Sequence, residues 1–163
     1  MKNNRKLFGL IAVVLIAMLA FAACGNGSTD PGPVQKKLTI TGLTGLSGEV
    51  MVMLYPIAMD TEPTLGAKEE VPMGSSSFTF NLFEVVGSSE VPWTGSADVY
   101  VLLSFTDMGA YFAYTNGSSF AELGISDFMV EYPGSIEKLP KLAFNHNVTT
   151  VDMNKFKTVM VGP

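Results

Sequence analysis

The chain has 163 residues, of which 10 are Lys or Arg and 15 are Asp or Glu, so its net charge at pH 7 is -5. This length is sufficient for one domain and is short for two. The excess of acidic residues excludes nucleic-acid binding, because such a surface repels phosphates. The single cysteine has no partner for a disulfide within the chain.

The first 23 residues have the layout of an export signal. Lys2, Arg5 and Lys6 precede an uncharged apolar run over residues 7–23. A helix over this run would span about 25 Å, at ~1.5 Å per residue, whereas a hydrocarbon core is ~30 Å thick. No cluster of positive charge follows the run to stop transfer. We therefore expect a removed signal peptide over residues 1–23 rather than a permanent transmembrane helix.

Cys24 stands directly after that segment. Residues 20–22, Ala-Phe-Ala, would also serve an ordinary signal peptidase, so the cysteine decides between two kinds of processing. The sequence Leu-Ala-Phe-Ala-Ala-Cys over residues 19–24 resembles the lipobox of bacterial lipoproteins, with Phe21 where Leu is commoner. The resemblance implies that Cys24 becomes the first residue of the mature protein and carries a diacylglyceryl thioether, usually with a third acyl chain such as palmitate.

Loss of residues 1–23 would leave 7 basic residues against 15 acidic ones, a net charge of -8. Residues 24–35 are rich in Gly, Asn, Ser and Pro and bury too little apolar surface to become ordered, so we expect a flexible tether. In some diderm bacteria an Asp after the lipidated cysteine retains the protein at the inner membrane. Gly25 occupies that position here, which favours the outer membrane by analogy and leaves the periplasmic and surface faces both open.

Residues 36–163 are expected to form a single β domain. Segments that alternate apolar and polar residues, or are rich in β-branched and aromatic residues, recur at roughly 8 to 15 residues. They cover residues 36–41, 49–55, 78–83, 97–106, 110–115, 139–144 and 148–153, with a short strand near 68–71 inside a long loop over 57–74 and another loop over 87–96. Lysines in the first segment favour an edge strand, and residues 97–106 are expected at the centre of a sheet. Residues 120–132 are ambiguous between a helical turn and a strand, and a strand is favoured at their end.

These segments predict an antiparallel β-sandwich of about seven or eight strands, immunoglobulin-like or transthyretin-like, with a small β-barrel as the alternative. Their order resembles that of small β-rich envelope lipoproteins of spirochaetes. The resemblance is carried by Leu-Thr-Ile-Thr-Gly at 38–42, Glu-Val-Met-Val-Met-Leu-Tyr at 49–55, Gly-Ser-Ala-Asp-Val-Tyr-Val-Leu-Leu at 95–103 and Thr-Thr-Val-Asp-Met-Asn-Lys-Phe at 149–156. It implies an envelope protein without a defined activity.

The sequence contains no nucleophile elbow, no Walker glycine loop and no His-Glu-x-x-His motif. His146, the only histidine, lies in an expected turn, where a structural role is favoured over a catalytic one. Four carboxylates match no calcium-loop spacing, and a solvated acidic surface explains them better than a metal site. They are Asp98, Asp107, Asp127 and Glu131. We therefore expect neither an enzyme nor a resident metal or cofactor.

Three aromatic residues are candidates for ligand or partner contact: Trp93, Tyr111 and Tyr114. The two tyrosines have opposite strand parity and would face opposite sides of a sheet. Trp93 would be either an exposed anchor or a cap on the hydrophobic core, and the cap is favoured. The first functional hypothesis is a non-enzymatic envelope lipoprotein for adhesion or assembly with an envelope protein. The alternative is a lipid-tethered module for a carbohydrate or small ligand, which an aromatic-lined pocket would favour, whereas an exposed edge strand would favour a protein partner.

Overall fold

The computed structural model describes residues 32–57, 63–126 and 134–159. The chain separates into two compact units, Met1–Gly32 and Pro33–Pro163, and nearly all described residues belong to the second. Eleven strands lie within the described ranges. They are β1 Lys37–Thr41, β2 Gly48–Tyr55, β3 Leu65–Val71, β4 Ser77–Asn81, β5 Phe83–Val86, β6 Ser89–Pro92, β7 Asp98–Phe105, β8 Ala110–Tyr114, β9 Leu142–Ala143, β10 Val148–Asp152 and β11 Phe156–Val159. Short 3-10 turns occupy Thr106–Met108, Ile136–Lys138 and Met153–Lys155.

The strands form two sheets. The eight-stranded sheet has the order β11-β8-β7-β2-β3-β5-β6, with β9 also paired to β7, and all of its pairs are antiparallel. The three-stranded sheet has the order β10-β1-β4, in which β1 is parallel to β10 and antiparallel to β4. The prediction of an all-β sandwich is confirmed. The described chain has more strands than expected because several are very short.

The main core lies between the two sheets. Alternate residues of β1, Leu38 and Ile40, are fully buried on one side of this core. From the larger sheet, alternate residues of β2 and β7 are buried with them in the same apolar cluster, Leu54 and Leu103 among them. Period-two burial in both sheets is the pattern by which the inner faces of a sandwich interlock.

A second apolar cluster covers part of the opposite face of the larger sheet. Leu102 and Ala113 project from β7 and β8 and pack with Ile125, Ile136 and Leu139, which belong to the turns and loops that follow β8. This covering explains why β7 is apolar at successive positions. A strand buried on both faces has no solvent side on which to alternate.

Several local predictions differ from the structure. β1 was expected at an edge but is the central strand of its sheet, and its polar side chains point to the outer face instead. The stretch 78–83 divides into β4 and β5, which belong to different sheets. β6 and β11 lie where no strand was expected. Turns occupy residues 120–124, while the strand favoured at 128–132 lies outside the described residues.

No described residue belongs to a helix that is long and apolar enough to cross a membrane.

Candidate functional site

Trp93 is a core residue in this structure. Only 4% of its surface is exposed, and its indole lies against the ring of Phe144 with centroids 5.4 Å apart. A Cβ atom added at Gly95 would come within 2.8 Å of the indole nitrogen, so the chain closes tightly over the ring. The alternative of Trp93 as an exposed ligand anchor is therefore corrected: its ring caps the core.

The two tyrosines lie on opposite faces of β8. Tyr114 is buried between the sheets and stacks edge-to-face on Phe156, with ring centroids 5.5 Å apart. Burial raises the pKa of the Tyr114 hydroxyl above its ordinary value. Tyr111 is 40% exposed on the outer face, in a cross-strand row with Ser104 and Met51. The structure therefore brings no two of the three candidate aromatics together as a platform.

His146 is exposed in the turn before β10, and its backbone carbonyl accepts a hydrogen bond of 3.1 Å from the Nζ atom of the buried Lys36. The contact ties this turn to the start of the domain. The structural contribution of His146 shown by this contact is made by its backbone carbonyl and does not involve the imidazole.

Of the four candidate calcium carboxylates, the structure describes Asp98 and Asp107, and these two do not lie together. Asp98 begins β7 and Asp107 follows its end, so about 25–30 Å of extended strand separates them. Asp127 and Glu131 lie outside the described residues. Among the residues that the structure describes, no group of three or more His, Cys, Asp or Glu side chains is placed to hold a metal ion.

Two carboxylates with lowered pKa values have structural explanations. The backbone N–H of Asn154 and the hydroxyl of Thr41 donate to Asp152, and these hydrogen bonds hold its pKa below the ordinary value. The backbone N–H and the hydroxyl of Ser119 donate to Glu122 and lower its pKa in the same way. Both arrangements satisfy backbone donors at turns, as capping residues do.

The chain passes from the smaller sheet to the larger one at Leu82. The backbone N–H of Leu82 donates to the carbonyl of Lys36 at 3.0 Å, and its carbonyl accepts from Trp93 at 3.0 Å. The backbone N–H of Lys36 in turn donates to the carbonyl of Trp93 at 2.7 Å. These bonds, together with the buried side chains of Leu82 and Trp93, fix the base of the β5–β6 hairpin in the core.

The β5–β6 hairpin extends from this base as the edge of the larger sheet. Its turn is Gly87-Ser88, with Gly87 at φ 65°, whereas Ser88 has a negative φ; this combination matches the two-residue type II′ turn. Within the described chain β6 pairs only with β5. All four residues of β6 are exposed, and three hairpin valines expose 37%, 58% and 38% of their surface. They are Val85, Val86 and Val91.

The hairpin is also acidic. It contains Glu84 and Glu90, and residues 69–137 hold ten carboxylates and no Lys, Arg or His. Val86 and Val91 share one face of the hairpin with Glu84. Val85 lies on the other face with Glu90. Exposed apolar side chains beside carboxylates are suited to contact with another protein. The sequence carried a signal for it, since Val-Val-Gly-Ser-Ser-Glu-Val over residues 85–91 has turn residues between two valine-containing runs. Residues 87–96 were nevertheless expected to form a loop.

No family model matches the chain, and comparison with the curated proteins and with solved structures found no match. The function is therefore inferred from the chain itself. The two relevant features of its structure are the burial of Trp93 and the exposed β5–β6 hairpin.

Proposed function

We propose that this protein is a non-enzymatic lipoprotein of the bacterial cell envelope whose β-sandwich binds another envelope protein through the β5–β6 hairpin. The observation that carries the proposal is the exposure of three valines on an edge hairpin that is rooted in the core. An unpaired strand at a sheet edge is a template for pairing with another chain. β6 is short and contains Glu90 and Pro92, which restrict such pairing, while the hairpin valines stay exposed. We take this restricted, partly apolar edge as the contact surface for a selected partner.

The lipid anchor is proposed from the sequence of residues 19–24 and from the solitary cysteine. Each buried methylene contributes about 0.8 kcal/mol, so a single acyl chain binds marginally and two or more give stable retention. A diacylglyceryl group on Cys24 satisfies this requirement. Residues 25–35 then separate the membrane from β1, which begins at Lys37. We propose the outer membrane by analogy, because Gly25 rather than Asp follows Cys24.

The burial of Trp93 and Tyr114 supports a protein partner over a carbohydrate or small ligand. Sugar recognition by stacking needs an exposed aromatic face. Of the three aromatic candidates only Tyr111 offers a substantially exposed ring, at 40%. The alternative of a small-ligand module therefore loses its principal anchor, whereas the edge hairpin is the feature expected for a protein partner.

Site-specific photo-crosslinking in living cells tests the proposal. A photoreactive amino acid replaces Val86, which is 58% exposed on the hairpin, or Val148, which is 49% exposed at the start of β10 in the other sheet. We expect discrete crosslinked adducts from Val86 and none of the same mass from Val148. The same adducts from both positions, or no adduct from Val86, would contradict a hairpin-mediated partner.

A further inference from the structure

We infer that the partner supplies an extended segment with a Lys or Arg between two apolar residues, and that this segment adds to the free edge of β6 as a short antiparallel strand. The inference rests on the proposed function and specifies the chemistry of the partner. It is carried by the register of the hairpin, by the position of one proline and by the distribution of charge.

The register determines which backbone groups face outward. The N–H of Val85 donates to the carbonyl of Thr64 at 2.7 Å, so it points toward β3 and away from β6. Glu90 lies opposite Val85. The two residues thus form a non-hydrogen-bonded pair of the antiparallel ladder, in which the N–H and C=O of Glu90 point to the free edge. A partner strand would pair with these two groups.

Pro92 limits the length of that pairing. It lies opposite Phe83, two residues along from Glu90, and therefore has the same outward orientation. Because proline has no N–H, the row of outward donors ends there. The added strand is consequently short and centred on Glu90.

The side chains specify the sequence of the added strand. A residue directly opposite Glu90 places its side chain on the same face as Glu90, while its two neighbours lie on the face of Val91. One neighbour would lie opposite Val91 and pack on it, and the other would lie opposite Ser89, beyond whose small side chain Val86 is exposed on the same face. The matching segment is therefore apolar–basic–apolar.

Charge complementarity selects a basic residue at the centre. Residues 69–137 contain no cation, and Lys68 is paired with Glu49 at 3.1 Å. A second copy of the chain, docked by antiparallel β6–β6 pairing centred on Glu90, would bring two Glu90 carboxylates together. Like charges directly opposite each other destabilise a strand pair. The occupant is thus a different protein with the opposite local charge.

The test uses the ¹⁵N-labelled protein, purified in mild detergent, and ten-residue peptides that alternate Val with Lys, Val with Glu, or Ser with Lys. The Val-Lys peptide should shift the amide signals of residues 89–91 and slow hydrogen exchange at Glu90. Glu90→Lys should weaken Val-Lys binding about tenfold and favour the Val-Glu peptide. Glu137→Lys makes the same charge change at an exposed position outside the hairpin and should keep the original preference.

Three outcomes would overturn the inference. The Val-Lys peptide could fail to bind, the Val-Glu or Ser-Lys peptide could bind with the same affinity as the Val-Lys peptide, or the shifted amide signals could all belong to strands other than β6. Shifts at residues 89–91 that depend on the protein's own concentration would identify a second copy as the occupant, and so would also overturn it. Adducts from Val86 in cells without peptide binding would retain the proposed function and reject strand addition. Peptide binding without crosslinked adducts from position 86 would reject the proposed function but not the capacity of β6 to accept a strand.

Discussion

The indole of Trp93 packs against the ring of Phe144 at a centroid distance of 5.4 Å and an interplanar angle of 59°. Both rings are buried, and the backbone of each is held by the main chain, since the Phe144 N–H donates to Ala97 at 2.9 Å and the Trp93 N–H donates to Leu82 at 3.0 Å. The pair joins the base of the β5–β6 hairpin to the segment after β9. The only tryptophan of the chain thus holds the β5–β6 hairpin in place.

Trp93→Ala should therefore destabilise the fold by about 3–5 kcal/mol, the usual cost of removing a large aromatic side chain from a core. Urea unfolding followed by far-ultraviolet circular dichroism measures this loss. Tyr111→Ala, at a 40% exposed position, is the matched aromatic control and should change stability by less than about 1 kcal/mol. An unchanged unfolding midpoint for Trp93→Ala would show that its ring is not part of the core.

Gly66→Ala should also destabilise the protein. Gly66 lies in β3 opposite Met53, and a Cβ atom at this position would overlap the carbonyl oxygen of Val52. Because that oxygen belongs to the backbone of the neighbouring strand, the overlap is relieved only by moving β2 and β3 apart. Forced overlaps in packed regions cost about 1–3 kcal/mol.

The same urea titration checks this value, with Gly32→Ala as the control. No atom lies within 4 Å of a Cβ at Gly32. We expect the control to unfold with the wild type, and equal unfolding midpoints for both variants would refute the close approach of the two strands.

Asp152 should make stability depend on pH in the acid range. Hydrogen bonds from the backbone N–H of Asn154 and from the Thr41 hydroxyl lower its pKa in the folded state. The unfolded state, with a pKa near 3.8, then takes up a proton at higher pH than the folded state. The stabilising contribution is therefore complete above the unfolded pKa and is lost as the pH falls through the folded pKa.

Thr41→Val removes one of these hydrogen bonds and should raise the folded pKa of Asp152 toward its ordinary value. The slope of stability against pH below about pH 4 should then become shallower. Thr39→Val is the matched control, because Thr39 lies on the same face of β1 and its hydroxyl bonds Thr79 at 2.8 Å instead. Unfolding midpoints measured at a series of acid pH values compare the slopes, and parallel slopes for wild type and Thr41→Val would reject this role of Asp152.

The strands with the strongest local signals were predictable from sequence. β2 and β7 contain several β-branched and aromatic residues and lie at the centre of the larger sheet, as was expected of residues 97–106. β6 and β11 were missed, since four-residue strands show too little alternation. In β6, Ser89 and Pro92 flank a single valine, so its extended state depends on pairing with β5 rather than on local preference.

Long-range pairing was the part of the fold that the sequence did not predict. Lys37, at the start of β1, is half-buried on the outer face. β1 is not an edge, because it pairs with β4 on one side and with β10, more than a hundred residues away, on the other. Likewise, burial of Trp93 depends on Phe144 and on the change of sheet at Leu82. The edge hairpin escaped prediction for the same reason, because an edge is defined by which strands remain unpaired.

Cys24→Ala should release the protein from the membrane. Fractionation of cells, with a high-salt wash to remove electrostatically bound proteins, should find the wild type with the membranes and the variant in the soluble fraction, because no acyl chain can be attached without the thiol. Ser28→Ala, a substitution within the expected tether, should stay with the membranes. Mass spectrometry of the wild type should detect acyl groups on its first residue. A variant that remained membrane-bound after the salt wash would reject the lipid anchor.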